Sequence, residues 1–125
     1  MVMSYYSNQY FYIKANDTLP ALQIMTMTRG NLDQVLPFNL SGVTSATFSM
    51  TDSNNNLIIS SAPAQIVDKC KGLIQYNWLK SDTMYPGVYK AEFELYFSGS
   101  TQQQKITLPL FGQISVEIFN SINNT

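Results

Sequence analysis

Residues 87–97, Gly-Val-Tyr-Lys-Ala-Glu-Phe-Glu-Leu-Tyr-Phe, alternate without a break. Tyr89, Ala91, Phe93, Leu95 and Phe97 fall on one side, and Val88, Lys90, Glu92, Glu94 and Tyr96 on the other. A period of two over this length predicts a strand with one buried face. A helical reading would mix Tyr89, Phe93 and Leu95 with Lys90, Glu92 and Glu94, and Pro86-Gly87 is a poor helix start. This strand is expected at the centre of the fold.

The same alternation recurs on both sides of it. Residues 43–51 place Ala46, Phe48 and Met50 inward and Ser45, Thr47, Ser49 and Thr51 outward. Residues 73–79 bury Ile74, Tyr76 and Trp78, and residues 113–119 bury Ile114, Val116 and Ile118. Shorter strands are expected at 9–14, 21–28, 57–60, 64–68 and 104–110. In the first of these Tyr10 and Tyr12 oppose Phe11 and Ile13. Turn formers separate the strands: Asn16, Asp17 and Pro20, then Arg29-Gly30-Asn31, then Asp52-Ser-Asn-Asn-Asn56, whose Asn and Asp residues tolerate left-handed backbone. Lys71-Gly72 and Ser98-Gly99-Ser100 complete the set. Eight to ten short strands at this spacing, with no convincing helix, predict an all-β sandwich or barrel. The expected organisation is an N-terminal arm at residues 1–8, one domain at 9–120 and a frayed tail at 121–125.

Composition narrows the function more than the fold. The chain has 125 residues, enough for one core without staples. Charged residues are 12% of it, against about 25% in typical domains. Ser, Thr, Asn and Gln supply the polarity, and the net charge of −1 exerts no pull on nucleic acid or anionic lipid. A surface this poor in charge hints at coverage by neighbours. The N-terminus shows neither a basic nor an apolar signal region, and no apolar run reaches the ~20 residues of a membrane span. Neither a signal peptide, a membrane nor a nucleic acid is therefore expected.

The usual catalytic chemistry lacks its residues. There is no His, which removes the commonest general base and zinc ligand and the Ser-His and Cys-His pairs. Cys70 is the one cysteine, and it lies between Lys69 and Lys71; a solitary thiol at a turn is the simpler reading. Glu92 and Glu94 share a strand face, as solvent-facing strand residues do, and are not read as an acid pair. Asp52, Asn54 and Asn56 open like a calcium loop, but Leu57 stands where Gly is needed and Pro63 where Glu is needed. No catalytic residue, metal or cofactor is expected. Exposed aromatics are the one binding signal: Tyr5, Tyr6, Tyr10 and Tyr12 have the character of partner-pocket residues, whereas Trp78 on its alternating strand belongs to the core.

Several segments together carry a resemblance. Residues 71–78, Lys-Gly-Leu-Ile-Gln-Tyr-Asn-Trp, are followed by Asp82-Thr83 and then by Gly87-Val-Tyr-Lys-Ala-Glu-Phe-Glu-Leu. Tyr12-Ile-Lys-Ala-Asn-Asp-Thr-Leu-Pro20 and Leu40-Ser-Gly42 with Ala46-Thr-Phe-Ser-Met50 precede them. In order and spacing this resembles the N-terminal domain of phage baseplate upper proteins, over about residues 10–119. The resemblance implies an immunoglobulin-like β-sandwich of two antiparallel sheets, about eight strands, with the stretch from Asp82 to Tyr89 as its tyrosine corner. It also implies a non-enzymatic virion protein, made in the host cytoplasm, that docks other particle proteins or copies of itself in a tail or baseplate. Family members usually continue past this domain; this sequence ends at Thr125, and a module standing alone is expected. The alternatives are a capsid head decoration protein and a module that binds host surface glycans by aromatic stacking.

Overall fold

The computed structural model describes residues 8–29, 35–37, 39–98, 104–109 and 113–122. In chain order the strands are β1 (Asn8–Lys14), β2 (Leu22–Met25), β3 (Met27–Arg29), β4 (Val35–Pro37), β5 (Val43–Thr51), β6 (Leu57–Asp68), β7 (Leu73–Tyr76), β8 (Gly87–Phe97), β9 (Gln104–Leu108) and β10 (Gln113–Phe119). One 3-10 turn, Lys80–Thr83, lies before β8.

The long alternating strand does sit at the centre. One edge of β8 pairs with β5 along almost its whole length. The other edge is shared: β10 takes Gly87 to Ala91, and β9 takes Phe93 to Phe97. The full hydrogen-bonded order is β1-β10-β8-β5-β6-β7-β2, with β9 beside β8 and the β3-β4 pair apart.

This order departs from two separate antiparallel sheets. The path runs unbroken through β6, whose first half pairs with β5 and whose second half pairs with β7. In addition, β1 joins β10 in parallel. The strip curls until it is nearly closed like a barrel. Phe11 of β1, at one end of the order, comes within 5.8 Å (ring centroids) of Trp78, which follows β7 near the other end.

The inward faces named from the alternation are the core. Phe48, Phe93, Leu95, Ile74, Ile114 and Val116 are fully buried. Phe48 is the hub: it stacks on Tyr76 at 4.3 Å and meets Phe93 at 5.0 Å and Trp78 at 5.6 Å edge-on. Offset and edge-on aromatic pairs add to the area they bury.

Three strand assignments change. The expected strands at 57–60 and 64–68 are one strand, because Ser61 adopts left-handed backbone (φ 51°) and absorbs an extra residue as a bulge. Ser61 N–H donates to Ser49 Oγ at 3.0 Å, and the register of β5 on β6 shifts between Phe48 and Met50. The expected strand at 21–28 is divided: β2 ends at Met25 and β3 begins at Met27. The buried Thr26 between them donates both its N–H (2.8 Å) and its hydroxyl (3.0 Å) to the Gly72 carbonyl. The strand expected at 73–79 stops at Tyr76, although Trp78 stays buried.

The corner before β8 is fastened by side chains. Tyr89 O–H donates to the Tyr85 carbonyl at 2.6 Å, the hydrogen bond that defines a tyrosine corner. Asp82 Oδ2 accepts from Tyr76 O–H at 2.6 Å and from Leu79 N–H at 2.8 Å. Burial first, and the Asp82 carboxylate second, push the Tyr76 phenol above its ordinary pKa.

Candidate protein-docking surface

The outward positions of β1 and β10 form an aromatic face at one end of the sheet. Even-numbered residues of β1 point out, so Tyr10 is 68% exposed and Tyr12 57% exposed. Odd-numbered residues of β10 point out too, and Phe119 is exposed beside them. The Tyr12 and Phe119 rings lie 5.9 Å apart. Tyr12 is opposite Glu117, which is opposite the exposed Val88, and Tyr10 is opposite Ser115, which is opposite Lys90. The face therefore mixes two Tyr, Phe119 and Val88 with one acid and, at Lys14 and Lys90, two amines. That is the make-up of a protein contact surface, in which apolar rings supply area and a few polar groups fix orientation.

The strand that carries this face is also an edge. β1 ends the hydrogen-bonded order, so one row of its N–H and C=O groups has no partner strand among the described residues. Proteins usually guard such an edge with charge, proline or a bulge. β1, Asn-Gln-Tyr-Phe-Tyr-Ile-Lys, has no proline, no bulge and one charge at its end.

Of the four tyrosines expected to bind, Tyr10 and Tyr12 stand side by side on this face, while Tyr5 and Tyr6 lie outside the described residues. Phe119 and Val88 are not among the residues expected from sequence, although the parity of each strand already turns them outward. What the sequence withholds is that β1, β10 and β8 are neighbours. Trp78 is 4% exposed, inside the aromatic core, and its indole N–H has no partner among the described residues.

Of the remaining polar candidates, Glu94 and Asp52 make hydrogen bonds within the fold. Glu94 Oε2 accepts from Lys105 Nζ at 2.8 Å, tying β8 to β9. That hydrogen bond, against some desolvation, holds the Glu94 carboxyl below its ordinary range. Glu92 is exposed on the same face. Asp52 accepts from the N–H groups of Asn54 and Asn56, both at 2.9 Å, and from the Asn56 amide at 3.2 Å. These bonds, the Asn56 N–H foremost, lower its pKa and use the carboxylate to close the hairpin. Cys70 is exposed, and its N–H donates to Asp68 in the turn. Among the described residues no group of three or more His, Cys, Asp or Glu is placed to hold a metal ion.

No curated protein matches the chain. Among solved structures it is similar to a family 123 glycoside hydrolase from Clostridium perfringens, at 14% identity and a TM-score of 0.42, over 92% of this chain and 23% of that one. The chain thus spans under a quarter of that enzyme, and a likeness this loose assigns it no property. The family model of the BppU N-terminal domain matches residues 32–124, which include β5, the corner at Tyr89 and the central strand β8. With well over half of its residues in that match, the chain belongs to the BppU N-terminal domain family, the N-terminal domain of baseplate upper proteins.

Proposed function

We propose that this chain is a non-enzymatic structural protein of a tailed phage particle, an immunoglobulin-like β-sandwich module of the tail or baseplate that docks other particle proteins. The family match carries the reading, because that family is one of baseplate proteins. The immunoglobulin-like description is supported by the tyrosine corner and by the way β6 passes from β5 to β7, which would let the two halves of the strip act as facing sheets. Docking takes place on the outer face of β1 and β10, where Tyr10, Tyr12 and Phe119 are exposed on an unguarded edge strand. A partner there gains ring area from the face and main-chain hydrogen bonds from the edge.

The test is the double variant Tyr10→Ser/Tyr12→Ser, offered in competition with the unaltered chain to particles assembling in infected cells. Both rings are exposed, so the variant keeps its fold and its unfolding midpoint. The expected result is a loss of incorporation of tenfold or more. Incorporation equal to that of the unaltered chain would remove this face from the mechanism.

A further inference from the structure

The end of the molecule where β1 stops and β8 starts is built from two loops. Residues 15–21 join β1 to β2, and residues 79–86 run into β8. The loops are fastened to each other. Asn16 N–H donates to the Thr83 carbonyl at 3.0 Å, and the buried Thr83 hydroxyl donates to the Asp17 carbonyl at 2.8 Å. The second loop is also held to itself and to β8, by Asp82 on the Leu79 N–H and by Tyr89 on the Tyr85 carbonyl.

Four large apolar side chains are exposed on this braced platform. Leu19 is 75% exposed, Tyr85 70%, Leu79 63% and Met84 42%. A single exposed apolar residue is ordinary, but four on two loops bonded to each other mark an interaction surface. Ordering a loop at a contact costs entropy, and these loops are already held by their hydrogen bonds, so little of that cost remains.

Charge indicates what the surface fits. The charged residues of the two loops are Asp17, Lys80 and Asp82. Asp82 is half-buried and accepts from Tyr76 O–H and Leu79 N–H. Asp17 and Lys80 are exposed, so one acid and one amine accompany the apolar side chains. A partner surface of a single sign would set one of them against a like charge. A second copy of the same surface does not: in a two-fold pair residue i meets residue j and j meets i. We propose that this end is a self-association surface on which two copies of the chain meet about a two-fold axis. Leu19, Leu79, Met84 and Tyr85 pack against the same residues of the other copy, and Asp17 of each copy lies opposite Lys80 of the other.

The test is sedimentation of the purified chain over a range of concentrations up to about 1 mM, since a patch of this size gives a weak contact. A reversible dimer is expected. Leu79→Ser/Tyr85→Ser is expected to weaken it about tenfold or more. Both side chains are exposed, and the Tyr85 carbonyl that Tyr89 binds is retained, so the unfolding midpoint is expected to stay. Asp17→Lys and Lys80→Asp are each expected to disfavour the dimer by setting like charges opposite one another. Mixed in equal amounts, these two variants are expected to pair with each other, because each supplies the charge the other has lost. A chain that is monomeric at every concentration would overturn the proposal and leave this end to a different protein. A dimer unmoved by the Leu79 and Tyr85 substitutions, or a mixture of the charge variants that stays monomeric, would overturn it too. The proposal does not rest on the docking reading above, whose assay varies Tyr10 and Tyr12, so either can fail without the other.

Discussion

Tyr89 shows how one side chain fixes the geometry on which the rest depends. It is 7% exposed, and its O–H donates to the Tyr85 carbonyl at 2.6 Å. Tyr89→Phe keeps the ring and removes the bond, leaving that carbonyl without its donor. The expected loss is about 1 kcal/mol in urea unfolding, with β8 still paired; no measurable loss would mean that the corner is held by packing alone. Glu94 gives the molecule a pH dependence that can be tested. Its folded pKa is depressed by the Lys105 hydrogen bond. A depressed carboxylate contributes stability that is fully present above its unfolded pKa and is lost as pH falls through the folded one. Stability should therefore decline as pH drops below 4.5, the ordinary value for this carboxyl. Lys105→Ala should raise the Glu94 pKa in an NMR titration and flatten that decline. An unchanged Glu94 titration in the variant would show that the ion pair is not formed in solution.

At the level of elements, alternation is a sufficient guide wherever one face of a strand is buried and the other is wet. The strands expected at 43–51, 87–97 and 113–119 are β5, β8 and β10, and their inward residues are the core. Alternation fails at β6, where Ser60-Ser-Ala-Pro63 looks like a break. The strand continues there because Ser61 takes left-handed backbone and Ser49 accepts its N–H, a contact made across strands and absent from local sequence. Ser61→Val should cost about 1–2 kcal/mol, since a β-branched residue resists that conformation. Ser61→Gly should be neutral or better by the same measurement. If both variants unfold at the same denaturant concentration, the bulge is not strained. The proposed docking face is half legible in the sequence. Tyr10 and Tyr12 stand out as aromatic residues alternating with the half-buried Phe11 and the buried Ile13, but the edge position of β1 and the company of Phe119 and Val88 come only from the pairing of β10 with β1 on one side and β8 on the other.

At the scale of the whole molecule, a nearly closed all-β strip presents aromatic rings on an unguarded edge and belongs to a family of baseplate domains. A protein poor in charge and rich in Ser, Thr, Asn and Gln is suited to a crowded assembly in which short-range contact counts for more than long-range fields. On the proposed reading this chain is a component of the particle. The most direct measurement is quantitative mass spectrometry of washed phage particles released by the cells that make it, with copies counted against the major capsid protein. The expected result is a fixed copy number per particle, between about six and a few tens for a baseplate or tail position, which survives the high-salt wash that strips loosely held protein. Absence of the chain from washed particles would contradict that reading.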